Sequence, residues 1–207
     1  LYMVDNMLGI IITLTLYKII NMFMTLWIGE EYLYNTNIVL IILINLYIQI
    51  SRSSIDKFKD SYGIFWDVWA PAIEGIINLV ISLYLVKRIG VIGLFIGTLV
   101  SNIIIVLMWK PYVLYKFGLN KPIRDYARMI ANIILNDIMI IFISSFMISN
   151  INKFMMVRSI TFITFLLNSI LILFIVTIVC FTIFMFNKSV RELVIRVLKN
   201  IKLKSVA

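Results

Sequence analysis

Histidine is absent from this 207-residue chain, cysteine occurs once, proline three times, and charged residues make up only 14% of it. Each scarcity removes a class of chemistry. Without imidazole there is no acid–base group that titrates near neutral pH in its ordinary state. Zinc sites built from Cys and His have no ligand set to draw on. Cys180 stands alone inside an apolar run, so no disulfide framework is available. Acidic residues number ten against nineteen basic ones, for a net charge of +9, and they are scattered instead of clustered as a carboxylate-based enzyme would want. These absences predict no enzyme, no cofactor and no metal.

Apolar side chains are what the chain has in quantity, 62% of residues against roughly 45–50% in soluble domains. This predicts an all-α polytopic membrane protein. The positive charge does not indicate nucleic acid, because the basic residues fall between hydrophobic spans instead of forming a patch with interleaved aromatics. Six crossings are expected, over residues 7–28, 35–50, 70–86, 90–109, 130–149 and 159–186. Together with their connections they form one transmembrane lobe, residues 1–187, and the rest, 188–207, is a basic cytoplasmic tail. In that tail Val190, Leu193, Val194, Val197, Leu198 and Ile201 share one helical face, which predicts an amphipathic helix on the membrane surface. Residues 51–66 read as a polar loop leading into the aromatic entry Tyr62, Phe65, Trp66 and Trp69. Lys110-Pro111 is expected to end the fourth span and open a basic, aromatic stretch along the membrane surface to residue 128. The chain opens on Leu1 with neither a basic n-region nor a small-residue cleavage site, so its start reads as a continuation of a longer protein and not as a signal peptide.

Orientation follows from the basic residues in alternate connections. One side holds three in 51–66, five in 110–128 and six in the tail, fourteen in all, against four on the other, which are Lys87, Arg88, Lys153 and Arg158. The richer side is expected to be cytoplasmic, with both ends of the chain on it, in the plasma or inner membrane.

Polar residues inside the spans are costly in lipid and therefore candidates for function. Glu74, Asn78 and Ser82 recur every four residues and share one helical face. Lys18, mid-span, lies with Thr15, Asn21 and Thr25 on another. Asp137 beside Asn136 is the third, positioned to pair with Arg128 or Lys18 or to cap a break in its helix. Gly93, Gly97 and Ser101 give a flat face where a second helix can approach closely, which favours packing over gating. Blander readings remain for each: Glu74 as a neutral carboxyl bonded to a neighbouring helix, Lys18 as a snorkelling side chain.

Between Phe58 and Trp109 the strings FKDSYGIFWDVWAPAIEGIINL and KRIGVIGLFIGT and the SN that follows resemble the C-terminal half of Wzx-type polysaccharide flippases, of the MATE-like superfamily. LYKIINMFMTLWIGEEYL before them and KPYVLYKFGLNKPIRDY after them are similar to the same family, so the resemblance covers most of residues 10–128. It implies one six-helix lobe of a transporter that has two, and hence a missing N-terminal lobe or a partner subunit. It also implies a lipid-linked oligosaccharide substrate carried across the membrane. On that basis Lys18 and the stripe Glu74, Asn78 and Ser82 are expected to face one water-filled cavity between the two lobes of the complete transporter, Lys18 attracting the phosphate end of the substrate and Glu74 or Asp137 serving ion coupling. A multidrug exporter of the same superfamily would share these helices. A membrane-embedded enzyme of polysaccharide assembly is a further alternative, although no clustered carboxylates or large external loop accompany it here.

Overall fold

The computed structural model describes residues 1–33, 35–155, 161–187, 190–192 and 195–196. Among them there is no strand, and six helices are long and apolar enough to cross a membrane. They are α1 (Tyr2–Trp27), α2 (Thr36–Ser61), α3 (Ala70–Ile89), α4 (Ile92–Gly118), α5 (Ile123–Met155) and α6 (Phe162–Met185). The protein is an all-α, multi-pass membrane protein.

Local sequence explains where these helices stop and start. At the end of α2, Gly63 takes a φ of 66°, its N–H bonds the Asp60 carbonyl, and the Ile64 N–H bonds the Lys59 carbonyl. This is a Schellman closure, and it needs a residue without a Cβ at Gly63. Pro71 sits in the first turn of α3, where its missing N–H costs nothing. Gly90, with φ 68°, ends α3 and turns the chain directly into α4. Thr161 and Thr164 form a reciprocal capping box at the start of α6.

Two helical hairpins, α1 with α2 and α3 with α4, pack side by side through α2 and α4, while α6 packs on α1 and α5 on α6. The main core lies among α1, α5 and α6 and includes Ile10, Leu14, Ile140, Val176, Cys180 and Phe184. Large apolar side chains such as Leu79, Phe142, Phe146 and Phe174 remain on the outside, as a lipid-facing surface requires.

Three boundaries differ from the sequence expectation. Residues 51–61 are not a loop: α2 continues through them, its last turns carrying Arg52, Asp56 and Lys59. An i,i+4 contact of 2.8 Å between Arg52 and Asp56 supports that extension. Lys110-Pro111 does not end the fourth span, because α4 passes through it and stops at Gly118. The backbone is π-helical over Asn102–Trp109 and Leu114–Gly118, on both sides of the turn that holds Pro111. A proline ring crowds the carbonyl one turn back and offers no N–H, and a wider turn gives it room. Finally, α5 starts at Ile123, so part of the expected surface stretch is helical and continuous with the fifth span. The predicted tail helix lies mostly outside the described residues, as do the Lys153 side chain and Arg158. Of the tail, Val190 is buried against the main core.

Candidate functional site

Between α1, α2 and α5 lies a cavity of about 380 Å³ bordered by Lys18, Thr13 and Tyr17 from α1, Tyr47 from α2, and Asp137 and Ser145 from α5. Its remaining wall is aliphatic. The polar groups are thus few and convergent in an apolar shell, the usual composition of a ligand site.

Asp137 is held at one end. Tyr47 lies with its ring against Gly9, where a Cβ would approach the ring to 3.1 Å. Its hydroxyl is 2.5 Å from Asp137 Oδ2 and 2.8 Å from Asn6 Oδ1. The Asn6 amide is oriented by its own Nδ2, which donates to the Tyr2 carbonyl at 2.7 Å, and Ser51 Oγ donates to the same Oδ1 at 3.1 Å. A phenol has one hydrogen and cannot donate to both oxygens. The seam is one hydrogen short unless the Asp137 carboxyl supplies it, donating to Tyr47 while Tyr47 donates to Asn6. Asp137 Oδ1 is buried without a partner.

Lys18 occupies the opposite end. It lies eight residues beyond Ile10 on α1, which is about 12 Å along a helix axis. Its ammonium is 5.8 Å from the ring of Tyr17, and no carboxylate among the described residues pairs with it. Of its predicted stripe, Thr15 is buried with an unpartnered hydroxyl, whereas Asn21 is exposed and does not border the cavity.

The α3 stripe does not border this cavity. Glu74 turns toward α2, where Arg52 Nη1 donates to it at 3.3 Å. Arg52 also donates to Asp56, and Asp56 in turn accepts from Lys110 Nζ at 2.7 Å. Four charges from α2, α3 and α4 therefore form one network, with Glu74 Oε2 left buried and unpartnered. Nearby, Lys59 and Asp67 form a second, buried ion pair. Asn78 and Ser82 are used elsewhere again. Ser82 Oγ donates to Asn78 Oδ1 at 2.9 Å, and the Thr98 hydroxyl lies 3.4 Å from the same oxygen. Their partners are in the α3–α4 seam, where Gly93 and Gly97 let the helices meet. A Cβ on Gly97 would come 2.8 Å from the Ser82 nitrogen, and one on Gly93 2.6 Å from the Leu85 carbonyl carbon. Ser101 is buried on the same face and donates to the Thr98 carbonyl. This face is where α4 lies closest to α3.

Other polar residues escaped the sequence reading. Gln49 donates to Asn102, Asn102 to Asn45, and Asn45 to the Phe95 carbonyl, each at 3.0 Å, giving a relay of amides between α2 and α4. Asn45 and Gln49 are four apart in α2, a signal the sequence did carry. Asn6 and Tyr47 gave none, since an amide near a chain start and a tyrosine in a span both read as ordinary. Comparison with protein-family models, with curated proteins and with solved structures gave no match to this chain.

Proposed function

We propose that the chain translocates lipid-linked oligosaccharide units across the membrane for surface polysaccharide synthesis, as the C-terminal lobe of a flippase working with an N-terminal lobe or partner subunit. The observation that carries this reading is an unpaired ammonium, Lys18, and a buried carboxyl, Asp137, at opposite ends of one intramembrane cavity. Such groups are expensive in lipid and are retained where they meet a substrate, an ion or a partner. Lys18 supplies a cation for the phosphate of the substrate. Asp137, whose hydrogen-bond seam has a place for a proton, takes the ion-coupling role in preference to Glu74, which Arg52 already neutralises. The sequence resemblance to Wzx-type flippases supports the substrate class, and the basic asymmetry of the connections supports cytoplasmic ends.

The test is export in cells that depend on the protein for surface polysaccharide. Lys18→Ala is expected to accumulate lipid-linked units on the inner leaflet, and Lys18→Arg to retain export. Normal export by Lys18→Ala removes the reading. The alternative, a multidrug exporter of the same superfamily, predicts instead that Lys18→Ala changes resistance to cationic drugs and leaves polysaccharide untouched.

A further inference from the structure

Two short oxygen–oxygen contacts meet at the Tyr47 hydroxyl, 2.5 Å to Asp137 Oδ2 and 2.8 Å to Asn6 Oδ1. Each needs a hydrogen between its oxygens, and the phenol has one. Asn6 cannot be turned to supply the other: its Nδ2 donates to the Tyr2 carbonyl at 2.7 Å, where a second carbonyl oxygen would repel. Ser51 gives its own hydrogen to Asn6 Oδ1 at 3.1 Å. The remaining hydrogen sits on Asp137. Only 8% of that residue is exposed, and the titratable or charged groups that face it are Tyr2 and Lys18 on α1, Tyr47 on α2 and Cys180 on α6. The one cation among them, Lys18, is at the far end of the cavity and makes no ion pair with it. An unpaired buried carboxylate is far costlier than the neutral acid.

The same hydroxyl decides how α1 sits on α2. Among the described residues three side-chain hydrogen bonds join these helices: Tyr47 to Asn6, Ser51 to Asn6, and Ser54 to Asp5 at 2.5 Å. Beyond them α1 runs on through Thr13, Tyr17 and Lys18, one wall of the cavity, and there Thr13 bonds only the Gly9 carbonyl of its own helix. An ionised Asp137 is an acceptor only. The Tyr47 hydrogen then goes to the charged oxygen, the stronger acceptor, and Tyr47 and Asn6 are left as two acceptors facing each other. We propose that the ion coupled to transport is a proton carried on Asp137 Oδ2, and that its release to water entering the cavity parts α1 from α2 at Tyr47. α1 then pivots on the Ser51 and Ser54 bonds, and the cavity around Lys18 widens. This rests on the ion-coupling role given to Asp137 above, and it names both the ion and the moving part.

The test uses the 207-residue chain purified in detergent and reads no transport. Infrared spectra at neutral pH are expected to show the C=O stretch of a protonated carboxyl, shifted in heavy water and absent from Asp137→Asn. That variant keeps the shape, and its amide N–H replaces the carboxyl hydrogen, so it holds the seam closed at every pH. The folded chain keeps a proton that the unfolded chain has lost. The unfolding equilibrium constant should therefore rise with pH, by up to about tenfold per unit, from the ordinary aspartate pKa of about 3.9 until Asp137 ionises. Asp137→Asn should lose that part of the slope. Nitroxide labels at the exposed positions Leu8 and Ile42, in a Cys180→Ala background, should move apart as Asp137 ionises and stay in place in Asp137→Asn. Tyr47→Phe, which cannot bridge in either state, should hold the wider separation at every pH. A missing carboxyl band, a band retained by Asp137→Asn, an unchanged slope in that variant, or label distances that ignore pH or still follow it in either variant would each overturn the inference. Normal export by Lys18→Ala with the band and the movement present would instead remove the flippase reading alone, leaving a proton-driven movement of α1.

Discussion

Tyr47 shows how much one side chain can determine in a lipid-surrounded bundle. Its hydroxyl is the only bonded partner of Asp137 among the described residues and joins α2 to both α1 and α5. Tyr47→Phe removes that hydroxyl with little change in shape, leaving a buried carboxyl without any partner. The expected loss of stability is about 1–3 kcal/mol, read as a lowered unfolding midpoint in detergent. An unchanged midpoint would mean that the seam contributes nothing to the fold. Asp56 and Glu74 offer a contrast of the same kind. Asp56 serves two cations, Arg52 and Lys110, whereas Glu74 accepts one long bond. Asp56→Ala strands a buried lysine and is expected to cost roughly 3–5 kcal/mol, while Glu74→Gln keeps an acceptor for Arg52 and should cost far less. The same measurement ranks the two, and the reverse order would refute the network as drawn. Intramembrane polarity marked Lys18, Glu74 and Asp137 in the sequence because lipid makes such residues conspicuous. Their partners were not legible, since Tyr47 and Arg52 are reached through helix packing and not through spacing along one helix.

At the level of elements, small residues in α4 fit α3 closely. Gly97→Ala would bring a Cβ against the Ser82 backbone and is expected to destabilise by about 1–3 kcal/mol. Gly75 in α3 has nothing within 4 Å of such a Cβ, and Gly75→Ala should be neutral or stabilising by up to about 1 kcal/mol. Equal effects of the two substitutions on thermal unfolding in detergent would contradict this packing. The four-residue spacing of Gly93, Gly97 and Ser101 was readable in advance because helix contact imposes it. The spacing of Glu74, Asn78 and Ser82 was just as readable but did not say which groups of this lobe the face meets. Periodicity identifies a face, but only the bundle decides what that face meets: for Asn78 and Ser82 it is α4, and for Glu74 it is Arg52. The boundary at Pro111 misled for a physical reason as well, since proline stops an α-helix but a π turn makes room for it.

For the whole molecule, six apolar spans were legible from composition and length alone, because a bilayer needs both. Their sidedness is a separate matter. A reporter fused after Ala207 is expected on the cytoplasmic side and one inserted near Asn152 on the outer side; the opposite pattern would reverse the orientation taken from the basic residues. Within the bundle, α4 touches α2 at three heights: its Phe95 carbonyl and Asn102 side chain at the amide relay, and Lys110 at Asp56. The first π stretch, Asn102–Trp109, lies between the last two of these anchors. A π turn holds about one residue more than an α turn, so tightening Asn102–Trp109 to α geometry would swing everything after it by about 100° about the helix axis. Lys110 would leave Asp56, Trp109 would leave its stack on Trp69, and the lower end of α4 would present a different face to the bilayer. The Lys110–Asp56 pair therefore acts as a detent against helix rotation, and the torque needed to overcome it sets how readily the lower half of α4 can turn while the upper half stays fixed to α3.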